Sequence, residues 1–229
     1  MSSDRETNKI EDLSFPVEIT AIRPQKKRNN RFSLYQGKRF LLGVSADTLL
    51  SFHLKKGDQL SAVQFQQITD EEERRTVREY MIRLLGRRDH SGTELEQKAR
   101  GKGYPEEIVQ HVQHELSEKG YVDDNIFASR FVTDKLAINR WGPLRIKMAL
   151  RKKGIPTHVT DRILQEKIDD LELKKICVDL VLARRKHFLR ESDSFKRKQK
   201  ISAWLQRKGF YYSTIEEAFP EIIKRLNVS

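Results

Sequence analysis

The sequence predicts a mainly α-helical protein: three tandem three-helix repeats in an elongated array, preceded by a small β-rich N-terminal segment. Self-similarity carries most of that reading. GlyLysGlyTyr at 101–104, LysLysGlyIle at 152–155 and ArgLysGlyPhe at 207–210 each close an apolar helix-like run, and aligning Gly103, Gly154 and Gly209 gives spacings of 51 and 55 residues. Apolar residues then coincide eight positions upstream, at Leu95, Ile146 and Ile201. A recurring period of this size is the mark of a repeat architecture, in which each unit buries little alone and must stack on its neighbours. The second observation is a change of hydrophobic period, from two before Thr69 to about 3.6 after it. The chain accordingly divides into residues 1–69, 70–122, 123–169 and 170–229.

The elements follow in order. Residues up to Asp12 are polar and expected to fray, and Val17, Ile19 and Ala21 then alternate with polar neighbours as a half-buried strand does. Turn-rich stretches at 24–30 and 36–38 flank a second alternating run, ArgPheSerLeuTyr, so a small antiparallel meander is predicted through Val44. Ser45 can cap a short helix through Leu54, ended by LysLysGlyAsp at 55–58. Lys26, Lys27, Arg28 and Arg31 are candidate phosphate contacts, and a solvated hairpin tip explains them equally well.

Thr69 with Glu72 has the spacing of a capping box opening the first long helix, which carries Val77, Met81, Leu84 and Leu85 on one face. Ser91 with Glu94 marks a second start, and Pro105 a third, with Ile108, Val109, Val112 and Leu116 as the buried stripe. The second repeat copies this order: Phe127 and Phe131 on its first helix, Gly142 and Pro143 opening the second, Pro156 the third. In the third repeat, helices are predicted at about Leu171–His187, Ser194–Lys208 and Tyr211–Leu226. The acidic pairs Asp123 with Asp124 and Asp169 with Asp170 each stand before a helix, where a carboxylate satisfies free amides and the dipole.

Charge points to the partner. Lys and Arg number 45 against 33 Asp and Glu, a formal net charge of +12, and residues 184–208 alone contribute +8. A block this dense favours a polyanion or an acidic protein surface over a merely solvated helical face. The single cysteine, Cys177, sits among apolar residues, excludes an internal disulfide and reads as core. No window approaches the length of a membrane span or a signal peptide, so a cytoplasmic protein without a membrane partner is expected.

Chemistry is not found. No GxxxxGK[ST] or GxGxxG loop occurs, and the Lys-Gly pairs stand at helix ends, where the glycines act as caps. His111 and His114 share one helix face without a third metal ligand, and Ser, Cys and His show no nucleophile arrangement. The expectation is a non-enzyme without cofactor or metal. Most aromatics recur at stripe positions and read as core, whereas Trp141 and Tyr212 stay open as base-stacking candidates.

The segment from Leu84 to Gln165 carries a specific pattern. Its LeuLeuGlyArgArgAspHisSerGlyThrGluLeu, GlyTyrValAspAspAsnIlePheAla and GlyProLeuArgIleLysMetAlaLeuArgLysLysGlyIle closely resemble the RecX family of bacterial regulators of the RecA recombinase. The resemblance implies a modulator, most often an inhibitor, that lies in the groove of the RecA filament on single-stranded DNA. It would limit strand exchange, ATP hydrolysis and the coprotease activity that triggers the SOS response. Double-stranded DNA is a further candidate partner, and a monomer is expected because no apolar heptad seam is evident. The third repeat departs from the pattern, with Tyr211 where Pro105 and Pro156 stand.

The family carries no catalytic residues, so the expected contact surface rests on charge. It comprises Arg145, Lys147, Arg151, Lys152 and Lys153 in the second repeat, and Arg184, Arg185, Lys186, Lys196, Arg197, Lys198, Lys200, Arg207 and Lys208 in the third. These residue types suit phosphates more than base edges. The alternative is a DNA-binding transcription regulator built from helix-turn-helix-like trihelical units.

Overall fold

A computed structural model describes residues 13–25 and 30–227; the polar start to Asp12 and the loop cations Lys26, Lys27 and Arg28 lie outside the described residues. The described residues fall into two compact units, one within residues 13–84 together with Ala99–Glu115, the other Leu85–Lys98 together with residues 116–227. The fold is mainly α, with three three-helix repeats behind a small strand region. No helix among the described residues is long and apolar enough to cross a membrane.

In the first unit, β1 (Val17–Glu18), β2 (Ala21–Pro24), β3 (Arg31–Gln36) and β4 (Arg39–Ser45) precede the short helix α1 (Ala46–Ser51). Strands β2, β3 and β4 form the expected antiparallel meander, with Leu34 opposite Leu42 and Phe32 opposite Val44. Ser45 caps α1, its hydroxyl accepting the Thr48 N–H at 3.0 Å. The helix stops at Ser51 rather than Leu54, because His53 turns into the left-handed region at φ 52°. A strand of two residues, β5 (Gln59–Leu60), then pairs antiparallel with β1. It is too short to show a period.

The next helix, α2 (Ala62–Leu85), begins well before Thr69. Its capping box is Ser61 with Gln64: the Ser61 hydroxyl accepts the Gln64 N–H at 3.3 Å, and the Gln64 side chain accepts the Ser61 N–H at 3.0 Å. Thr69 lies inside the helix and donates to the Phe65 carbonyl. Glu72 is buried, and its carboxylate accepts the Ser45 N–H at 2.7 Å and the Thr48 hydroxyl at 2.6 Å. Arg31 Nη2 lies 3.1 Å from the other Glu72 oxygen and donates to the Gly43 carbonyl, so this cation is held inside the unit instead of offered at a hairpin tip. In the same unit Arg78 grips Glu115 through two nitrogens, at 2.7 and 3.1 Å.

The remaining helices are α3 (Gly92–Arg100), α4 (Glu106–Glu118), α5 (Asp124–Ala137), α6 (Pro143–Lys152) and α7 (Thr157–Lys167), then α8 (Asp170–Leu182), α9 (Arg185–Phe188), α10 (Ser194–Lys208) and α11 (Tyr212–Asn227). Pro105, Gly142 with Pro143, and Pro156 stand at the starts of α4, α6 and α7 as expected. Asp123 caps α5 through the amides of Asn125 and Ile126, and Asp169 caps α8 through that of Leu171. The helix expected over Leu171–His187 is broken into α8 and the single turn α9. The break swings Phe188 inward, 2% exposed, to meet Trp204 edge-on with ring centroids 5.6 Å apart.

Two apolar cores are seen among the described residues of repeats two and three. Phe127, Val132, Ile146, Leu150 and Ile163 form that of repeat two, and Cys177, Val181, Ile201, Leu205 and Phe210 lie in that of repeat three. Leu136 and Ile168 pack against both. Burial of Cys177 pushes its thiol up to about 12, as befits a core residue.

Candidate functional site

The Lys-Gly pairs do more than end helices. Gly103, Gly154 and Gly209 sit at φ 81°, 80° and 95°, the left-handed turn that favours glycine. At two of them the start of the preceding repeat's middle helix abuts. The Ser91 hydroxyl at the start of α3 donates to the Lys153 carbonyl at 2.7 Å, and a Cβ on Gly154 would lie 1.9 Å from Thr93 Oγ1. One repeat later the Gly142 N–H at the start of α6 donates to the Lys208 carbonyl at 2.9 Å, and the Leu144 N–H to the Gly209 carbonyl at 2.9 Å. Counted back from the aligned glycines, Ser91 and Gly142 occupy the same repeat position, as do Lys153 and Lys208.

Each joint therefore sets the amide-rich start of one middle helix on the carbonyl-rich end of the next. The free donors of one helix meet the free acceptors of the other. Around Gly103, in contrast, a Cβ would have nothing within 4 Å. The residue aligned with Ser91 and Gly142 in repeat three is Arg197, one turn inside the longer α10, so that helix offers no equivalent start.

These joints sort the expected contact residues. Lys153 is half-buried, paired with Glu94 and stacked 5.5 Å from the Phe127 ring, and so belongs to the first joint. Lys147 pairs with Asp161 at 2.7 Å, Lys198 with Glu216 at 2.9 Å, and Lys200 with Glu191. Arg145 stacks on the Trp141 ring at 4.1 Å, while Arg184 and Lys208 both lie over Trp204, at 5.2 and 5.6 Å. Arg145, Arg151, Lys152, Arg184, Arg185, Lys186, Lys196, Arg197, Arg207 and Lys208 enter no ion pair among the described residues. Arg151 and Lys152 also stand in the last turn of α6, where cations offset the helix dipole. A shallow recess of about 570 Å³ is lined by Arg184, Arg185, Lys186, His187 and Arg190.

Charge spacing alone misses Lys135, Arg190 and Glu94. Lys135 lies 5.3 Å from the Trp141 centroid, which only the return of the chain after α5 brings about. Glu94, read as half of a capping box, instead faces Lys153, Arg88 at 3.2 Å and the buried His90 at 3.6 Å. Burial alone would raise its carboxyl, but hydrogen bonds from Lys153 and then Arg88 outweigh this and bring it down to about 2. His90 is lowered, first by burial and then by the Arg88 charge.

Both groups release protons on folding. Glu94 stabilises the fold fully above its unfolded value of about 4.3, and this contribution is lost as pH falls toward 2. His90 acts in the same direction from about 6.5 downward. Urea unfolding between about pH 7 and 3 should show stability falling with acid, and Glu94→Gln should remove about 2 kcal/mol of that dependence below pH 5. An unchanged acid limb in Glu94→Gln would refute the pairing.

Family models described as the Regulatory protein RecX N-terminal domain and the first, second and third RecX three-helix domains match residues 17–61, 78–116, 123–164 and 180–219. Proteins named Regulatory protein RecX are similar at 27% identity in Clostridioides difficile (90% of this chain, 95% of the relative) and at 29% in Halalkalibacterium halodurans (89% and 77%). Among solved structures, a crystal structure of regulatory protein RecX superposes with a TM-score of 0.74 at 24% identity, covering 89% of this chain and 98% of that one. RecX from Lactobacillus salivarius superposes at 0.61 and 21%, covering 66% and 97%. With all four family domains in order along the sequence and relatives aligned over nearly its whole length, the chain belongs to the RecX family of regulatory proteins.

Proposed function

We propose that this protein modulates the RecA recombinase by binding its filament on single-stranded DNA, most simply as an inhibitor of strand exchange, ATP hydrolysis and SOS coprotease activity. Family membership supports the partner, and one observation in the chain carries the reading. The middle helix of repeat two presents Leu144 and Met148, 38% and 64% exposed and one turn apart, beside Arg145, Arg151 and Lys152. At the aligned positions repeat one has Thr93 and Gln97, and repeat three has Gln199 and Ala203. At these aligned positions, only repeat two carries a large apolar pair. An apolar centre rimmed by cations suits a protein surface that offers an apolar contact among carboxylates, as a filament subunit beside DNA can.

Exchanging Leu144 and Met148 for the threonine and glutamine of repeat one alters exposed positions only. The double variant is expected to fold normally, to bind RecA filaments at least about tenfold more weakly and to lose inhibition of ATP hydrolysis in proportion. Unchanged inhibition would remove this face from the contact. A wild-type protein that neither associates with filaments nor alters hydrolysis would remove the function itself.

A further inference from the structure

The two joints are built alike but charged differently. At the first, Glu94 meets Lys153 across the repeat boundary. At the second, the residue aligned with Glu94 is Arg145, and the one aligned with Lys153 is Lys208. A Cβ on Gly209 would lie 2.4 Å from that of Arg145, so the substitution places two cations at the joint where the first has an ion pair. Neither is neutralised by a carboxylate among the described residues; both are held over indole faces, Arg145 on Trp141 and Lys208 on Trp204. Arg184 lies over the same Trp204 ring and continues into the recess lined by Arg185, Lys186 and Arg190.

We propose that the joint between repeats two and three is an anion site completed from outside, and that its ligand is the phosphodiester backbone of single-stranded nucleic acid. The first joint carries its anion within the chain; the second leaves that place to a phosphate. A guanidinium and an ammonium fixed by ring faces keep their donors free and lose little freedom on binding. Arg145, Lys208 and Arg184 together offer a phosphate polymer more than one cation, whereas a lone carboxylate would satisfy only one of them. This deepens the filament reading by assigning the DNA contact to the second joint, and it is testable with the protein alone.

Arg145→Glu rebuilds at the second joint the pair present at the first. Its melting temperature is expected to equal or exceed that of the wild type. Its affinity for a short oligothymidylate should fall about tenfold at about 100 mM salt, with a slope of log K against log salt shallower by about one. Lys208→Gln should weaken oligonucleotide binding in the same direction without added repulsion. Oligonucleotide binding that is absent in the wild type, or unchanged in both variants, would overturn the site, and a large loss of stability in Arg145→Glu would overturn the correspondence of the joints. Weakened filament binding with unchanged oligonucleotide binding would assign the anion to a protein carboxylate and overturn the nucleic-acid assignment. A wild type that ignores RecA filaments, yet binds oligothymidylate through Arg145, would leave this site standing and remove the filament reading.

Discussion

Gly209→Ala is expected to destabilise the second unit by about 4 kcal/mol or more, while the same change at Gly103 costs only about 1 kcal/mol. Both glycines are left-handed, at φ 95° and 81°, so the intrinsic penalty of a Cβ in that region is shared. What differs is the neighbour. The added carbon at Gly209 would lie 2.5 Å from the Arg145 backbone nitrogen, whereas at Gly103 it points into open space. Gly142→Ala isolates the steric part, because Gly142 has φ −75° and ψ 161°, a conformation any residue adopts, yet its Cβ would lie 2.2 Å from the Gly209 carbonyl carbon. Backbone on both sides leaves no flexible side chain to yield. Denaturant midpoints for the three single variants should rank Gly103→Ala far above the other two, and equal midpoints would refute the joint as a point of close approach.

Glu94→Arg is expected to cost about 3–5 kcal/mol, the range seen when a buried charge loses its partner. The new guanidinium would face Lys153 and Arg88 beside the buried His90, so repulsion adds to the lost hydrogen bonds. The carboxylate is only 15% exposed, and water screens it little. Reversing the pair, with Glu94→Lys and Lys153→Glu together, should recover most of the loss relative to either single change. Additive losses in that cycle, measured by chemical unfolding, would show that the pair contributes nothing specific. The acid sensitivity of the wild type and the stability of Arg145→Glu probe the same two joints from the opposite direction.

Much of the helical scaffold is legible because its signals are local. Pro156, Gly142 with Pro143, Asp123, Asp169 and the left-handed glycines satisfy or release backbone groups within a few residues of themselves, and α10 runs from Ser194 to Lys208 as the pattern predicts. Where two local signals compete, spacing does not choose. Ser61 with Gln64 and Thr69 with Glu72 both have capping-box spacing, and the second is overruled because Glu72 is drawn inward by Ser45 and Thr48. The helix expected over Leu171–His187 carries no glycine or proline at its break; packing of Phe188 on Trp204 divides it.

The basic surface was legible as composition and not as a site. A count of Lys and Arg treats Lys153, Lys147 and Arg145 alike, whereas the fold pairs the first with Glu94 and the second with Asp161 and sets the third on Trp141. By itself the amino-acid sequence determined the repeat period, the helix ends and the excess of positive charge, since each follows from residues a few positions apart or from a sum. Only the tertiary structure decided which cations are neutralised inside the fold and which face outward. Ser91 and Lys153 are 62 residues apart, and a hydrogen bond across that distance depends on how helices stack, which no local propensity encodes.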